Sequence, residues 1–183
     1  MDSISVGGRT ATVDEPLRCA VFLSGSGSGM EALVHAQRNQ TLLHQTVVVV
    51  ANKTGIEGLE RARRLGVPTL VVEQNHEGGS RSREEHEAEI LSQMKEYNVE
   101  LVVLAGYMRL LSPLFLSDWT NRVVNIHPSF LPHFPGAHAH REFSLRRPPS
   151  RAARFIWWTK GWTQGPSLLN GSCPCSRTMM SRR

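Results

Sequence analysis

The chain reads as an α/β protein, a doubly wound and mostly parallel sheet, on three observations. Short apolar runs alternate with helix-like segments over residues 18–126. One of those runs, Val47-Val48-Val49-Val50, is apolar at every position, which suits a strand buried on both faces. The first run leads straight into Ser24-Gly25-Ser26-Gly27-Ser28-Gly29, a glycine-rich turn that can join a strand to a helix start.

Taken in order, Arg18–Leu23 is the first strand and Met30–Arg38 the helix after the turn. Thr46–Ala51, with the four valines, is the second strand. Gly58–Leu65 is helical and is stopped by Gly66 and Pro68. Thr69–Val72 gives a third strand. Ser82-Arg83-Glu84-Glu85 is a capping-box pattern, serine with glutamate three residues on, opening a helix to about Tyr97. Ile90, Leu91 and Met94 supply its apolar stripe. Leu101–Ala105 is the fourth strand, Pro113–Trp119 a short helix and Arg122–Ile126 the fifth strand. Ligands of such sheets bind beyond the carboxyl ends of the strands.

A chain of 183 residues suits one domain with a sizeable core. No apolar run approaches the ~20 residues of a membrane span, and the polar N-terminus lacks the apolar segment of a secretory signal. Cys19, Cys173 and Cys175 make no disulfide framework, so a reducing cytoplasm is expected. The net charge of +5 is unevenly spread: residues 1–140 hold 12 Lys/Arg against 15 Asp/Glu, residues 141–183 hold 9 against Glu142 alone. Trp157, Trp158 and Trp162 share that basic tail, a composition that also occurs in nucleic-acid patches.

Val123-Val124-Asn125-Ile126-His127-Pro128-Ser129-Phe130-Leu131-Pro132 carries the strongest chemical signal. Residues two apart in a strand share a face, so Asn125 and His127 can converge on one atom. An amide that donates to an oxyanion, beside an imidazole that moves protons, is equipment for acyl transfer. An ordinary strand entering a proline-rich turn is the plain alternative. His127, His133, His138 and His140 cluster in sequence, yet no cysteine or carboxylate accompanies them at ligand spacing, which argues against zinc.

This stretch, with Pro135-Gly136-Ala137-His138-Ala139-His140, Ser24–Gly29 and Leu101–Pro113, resembles the folate-dependent formyltransferases over about Cys19 to Arg141. Within that family the likeness is to the phosphoribosylglycinamide formyltransferases. The resemblance implies a Rossmann-like formyltransferase fold in residues 18–141, after a flexible extension at 1–17. It implies formyl transfer from 10-formyltetrahydrofolate to the amino group of glycinamide ribonucleotide (GAR), in cytoplasmic de novo purine synthesis, with no metal. By the same resemblance, Gly27, Ser28 and Gly29 bind the substrate phosphate, although the family usually has asparagine where Gly29 stands. Arg83, Met108, Arg109, Leu110, Leu111 and Asn125 line the folate site; as a bare residue Arg83 reads as a solvated charge. Asn125 and His127 are the catalytic pair, and His138 is a secondary candidate near them. The partners implied are GAR and the folate, not a membrane or a nucleic acid. Related activities to weigh are formyltetrahydrofolate deformylase, methionyl-tRNA formyltransferase (which has a different first loop and a further domain) and an inactive nucleotide-binding remnant.

The resemblance stops at about residue 142. The family completes its site with a strand and loop of the type VHFVDEGVDTGPIIAQ, whose second aspartate orients the histidine, and residues 142–183 contain no aspartate. The C-terminal strands are therefore expected to be missing or replaced, and the tail disordered or poorly packed. Tryptophan has a single codon, so the tail can be read back into nucleotides with limited ambiguity. One nucleotide earlier, Trp157-Trp158-Thr159 permits Val-Asp, the segment from Trp162 permits Leu-Asp-Thr-Gly-Pro-Ile-Ile, and Arg154-Phe155-Ile156 permits Thr-Val-His. A one-nucleotide frame change near Glu142–Phe143 accounts for the tail and for its excess of arginine and tryptophan.

Overall fold

The structure, a computed structural model, describes residues 5–38, 42–76, 79–127 and 154–157, with the backbone alone at 76, 127 and 154–157. In chain order the strands and helices are β1 Ser5–Val6, β2 Arg9–Thr10, β3 Leu17–Leu23, α1 Ser28–Gln37, β4 His44–Ala51, α2 Glu57–Arg64 and β5 Thr69–Val71. They continue with β6 Asn75–His76, β7 Gly79–Ser80, α3 Arg83–Met94, β8 Leu101–Leu104, α4 Pro113–Asp118, β9 Val123–His127 and β10 Arg154–Trp157.

The main sheet has the order β10-β9-β8-β3-β4-β5. β5, β4, β3, β8 and β9 are parallel, and β10 alone runs antiparallel, against β9. Strand alternation divides the core into two layers. Val21, Leu23, Val49 and Ala51 pack with Met30 and Val34 of α1 and Leu59 and Ala62 of α2. Ala20, Phe22, Val48 and Val50 pack with Ile90 and Met94 of α3 and Phe115 of α4. The valine run thus serves both layers, and the sheet is wound on both faces as the sequence predicts. Phe22 meets Tyr107 edge-on at 5.3 Å and Phe115 at 6.3 Å, so an aromatic block underlies the segment that follows β8.

Three differences from the sequence reading stand out. Residues 5–16, assigned to a flexible extension, include the β1–β2 hairpin, and Val6 and Ala11 are buried in the first core layer. Arg9 Nε and Nη2 donate to the Glu100 carboxylate at 2.6 and 2.5 Å, tying the hairpin to the start of β8. A second small hairpin, β6–β7, precedes α3, where two-residue strands leave no periodicity to read. In the tail, expected to be disordered or poorly packed, β10 pairs with β9 in the register Arg154↔His127, Ile156↔Asn125 and forms an edge strand.

Cys19 is buried, and burial pushes its thiol up to about 12. Among the described residues no helix is long and apolar enough to cross a membrane.

Glu100 is held below the ordinary carboxylate range, first by the Arg9 hydrogen bonds and then by the Arg18 backbone N–H at 2.9 Å. A depressed folded-state value gives stability that is fully present above the unfolded value, about 4.3, and is lost as pH falls through the folded one. Glu100→Gln is expected to be less stable than the parent chain at neutral pH. The difference should shrink on acidification to about pH 3, which paired urea melts will measure.

Candidate active site

In an open parallel sheet the chain direction reverses at one gap between neighbouring strands, and the carboxyl edge of that gap is an open crevice. Here β3 is followed on one side by β4, while β8 lies on its other side, so the gap falls between β3 and β8. The segments leaving these two strands are joined. Ser24 N–H donates to Gly106 O at 3.2 Å, and Met108 N–H donates to Ser24 Oγ at 2.9 Å.

The turn after β3 brings backbone against backbone. Gly58 N–H of α2 donates to Gly25 O at 3.1 Å. A Cβ on Gly27 would lie 2.6 Å from Gly58 Cα, and Gly27 has φ +71°. Two independent reasons therefore require glycine there: the left-handed backbone and the missing space. Gly27 is the N-cap of α1, and no side chain caps that helix. Its first N–H groups, with Ser28 and Gly29 in the opening turn, are open to an anion beyond the carboxyl end of β3. The acidic residue of that turn, Glu31, is paired with Arg61 of α2.

The segment from Gly106 to Ser112 is anchored at both ends. At the far end, Ser112 N–H donates to Glu87 Oε1 at 2.7 Å and Ser112 Oγ–H donates to Glu87 Oε2. Ser112 Oγ also caps α4 by accepting from Phe115 N–H at 3.1 Å. Between the anchors, Met108 and Leu110 are 66% and 57% exposed. Leu111 packs down on the second core layer. Arg109 is half-buried, with its Nη1 unpaired. Burial pushes the Tyr107 phenol up to about 12, with the Arg109 charge working in the opposite direction. Two exposed apolar side chains on a braced segment are the kind of wall a flat heteroaromatic ligand needs.

Asn125 lies on β9 in register with Leu104, the last residue of β8, and is half-buried. Its strand is two places from β3, a lateral offset of about 10 Å. His127 belongs to the same strand, so the i, i+2 spacing holds in the backbone. Arg83 is the first residue of α3 and is exposed, one helical turn before Glu87. His133, His138 and His140 fall outside the described residues. Among the described residues no three His, Cys, Asp or Glu side chains are gathered as a metal site.

This arrangement belongs with a match over residues 17–148 to the family described as formyl transferase. The chain belongs to the formyl transferase family. It is 34% identical over 158 residues to the phosphoribosylglycinamide formyltransferase of Escherichia coli, covering 86% of this chain and 73% of that one. It is 42% identical over 125 residues to the trifunctional purine biosynthetic protein adenosine-3 of Gallus gallus, covering 68% of this chain. The chain spans only 12% of that relative's length. The crystal structure of glycinamide ribonucleotide transformylase 1 from Geobacillus kaustophilus superposes with a TM-score of 0.72 at 32% identity, covering 89% of this chain and 85% of that one.

The structural roles of four residues went unread in the sequence: Ser24, Gly58, Glu87 and Ser112. Glu87 and His86 were detectable. They precede Ile90 and Met94 by three to eight residues and so fall on the stripe that faces the core. His86 is fully buried. Its Nε2 carries the proton and donates to Val72 O at 2.7 Å, and burial lowers its pKa. Gly58 offered no signal, because its requirement comes from a turn over thirty residues earlier.

Gly27→Ala should destabilise the chain by more than about 1 kcal/mol, since it adds both a clash and backbone strain. Gly29→Ala, whose methyl would meet the Ala105 Cβ at an ordinary 3.8 Å, should be neutral or stabilising, because alanine is favoured in helices by about 1 kcal/mol. Urea midpoints for the two variants will separate these outcomes.

Proposed function

We propose that the chain is built for GAR formyltransferase chemistry: transfer of a formyl group from 10-formyltetrahydrofolate to the amino group of glycinamide ribonucleotide, in cytoplasmic purine synthesis. One observation carries the reading. In a formyl transferase chain, the turn that leads into an uncapped glycine-rich helix start is hydrogen-bonded through Ser24 to an exposed apolar segment at the crevice between β3 and β8.

In this reading Gly27, Ser28 and Gly29 take the ribonucleotide phosphate on backbone N–H groups. Arg83 and Met108–Leu111 hold the folate. The amine of GAR attacks the formyl carbon, and the carbonyl oxygen gains the negative charge of a tetrahedral intermediate. Asn125 donates to that oxygen. His127 moves protons from the attacking amine towards the leaving nitrogen of the folate, with His138 as the secondary candidate for that role. No metal takes part.

The tail limits the outcome. An imidazole deprived of its orienting carboxylate loses about 10⁴ in rate in a comparable triad, and residues 142–183 offer no aspartate. The chain as written is therefore expected to bind GAR in calorimetry while turning over at or below about 10⁻⁴ of the rate of a complete relative. Restoring the frame at 142–143 should recover formyl transfer. In that restored chain Asn125→Ala and His127→Ala should each lower kcat by about 10²–10⁴. Turnover by the unrestored chain at the rate of a relative overturns the impairment. Formyl release from the folate without GAR assigns a deformylase instead. GAR binding with no turnover after restoration assigns a remnant. Sequencing the gene decides the origin of the tail: an open frame with no DEGxDTG-type stretch in any register sinks the frame change.

A further inference from the structure

We propose that Glu87 is a positioning residue, whose buried carboxylate fixes the segment from Gly106 to Ser112 so that Met108 and Leu110 are presented to the folate. The proposal rests on the formyltransferase reading and deepens it. It assigns a job to a charged group that touches neither substrate.

A glutamate that is 4% exposed needs an account, because carboxylates are almost never fully buried unless paired. Both oxygens of Glu87 are spent on one residue, Ser112, one on its N–H and one on its hydroxyl. An ionised carboxylate accepts on both oxygens and donates on neither, and that is the pattern Ser112 requires. The serine hydroxyl gives its proton to Glu87 and takes the N–H of Phe115, so its orientation is fixed. Packing alone would be served as well or better by an apolar residue of similar volume. What the carboxylate adds is direction: it sets where the segment ends and α4 begins.

The other end of the segment is held by Ser24, which belongs to the glycine turn. The two anchors therefore divide the work. Loss of the Ser24 anchor disturbs the phosphate side and the folate side together. Loss of the Glu87 anchor frees only the folate side, because α3 packs on the opposite core layer from α1 and α2. Arg83, given to the folate in the proposed function, lies one turn earlier on the same helix.

Glu87→Gln keeps the volume and an acceptor for the Ser112 N–H, but its NH2 can meet Ser112 Oγ only as a donor, so the serine hydroxyl loses the acceptor that orients it. The experiment compares the full chain, Glu87→Gln, Ser112→Ala, the double variant, and Val34→Ala as a matched loss of stability from the other core layer. Calorimetry is run separately with GAR and with 10-formyl-5,8-dideazafolate, and amide exchange is followed at residues 108–112. Glu87→Gln should weaken the folate analogue by about tenfold, leave GAR within about twofold and speed exchange at 108–112 by about tenfold. The double variant should be no weaker towards the analogue than the worse single one. Val34→Ala should leave the ratio of the two affinities unchanged. Equal weakening of both ligands, a matching shift in Val34→Ala, or unchanged exchange at 108–112 overturns the proposal. If the unmodified chain takes up no folate analogue, the functional reading fails there, and the exchange rates still decide whether Glu87 holds the segment.

Discussion

The carboxyl edge of this sheet is set by a place where two backbones meet with no side chain between them. Gly27 and Gly58 approach so closely that a single methyl on Gly27 would fall within 2.6 Å of the opposing Cα. That contact fixes the height of α2 against the turn after β3 and with it the angle at which α1 leaves the sheet. Gly25 adds its carbonyl to the N–H of Gly58, so the arrangement is both steric and hydrogen-bonded. From the same turn, Ser24 reaches the segment after β8. The candidate phosphate site and the candidate folate wall are thus positioned by one short stretch of chain. A shift in the first necessarily reaches the second.

Most of the architecture could be read from local pattern. The valine run, the capping box and the strand–turn–helix start each impose their conformation within a few residues. Strand and helix limits accordingly agree to within two residues, for example Thr46–Ala51 as read and His44–Ala51 as found, except at the end of α3, read to about Tyr97 and found at Met94 with a 3-10 turn over Lys95–Tyr97. What escaped reading depends on partners distant in sequence. The β1–β2 hairpin is held by Glu100, ninety-one residues from Arg9, and nothing near Arg9 announces that pairing. Glu87 is a mixed case. Its place on the buried stripe of α3 was detectable, but its partner Ser112, twenty-five residues on, was not.

The placement of the candidate site residues was legible in part for the same reason. Gly27, Met108, Arg109 and Asn125 were singled out as motif members, and their strand ends do share one edge of the sheet. The hydrogen bonds that couple those motifs were not legible, because they run through Ser24 and Ser112, residues of a type common in any loop. The tail poses the converse problem. Its residues carry none of the expected motif, yet Arg154–Trp157 pairs along β9. Backbone hydrogen bonding makes few demands on side-chain identity, so a strand can form there without any of the motif residues.

The buried sulfur of Cys19 gives the molecule an internal clock. It lies at 1% exposure on the central strand, its proton held to about 12, and its Sγ–H directed to Leu17 O at 3.6 Å. Alkylating reagents attack the thiolate, so at neutral pH that atom stays chemically silent while β3 remains paired on both sides. Any covalent labelling there counts openings of the sheet's middle strand rather than motions at its rim.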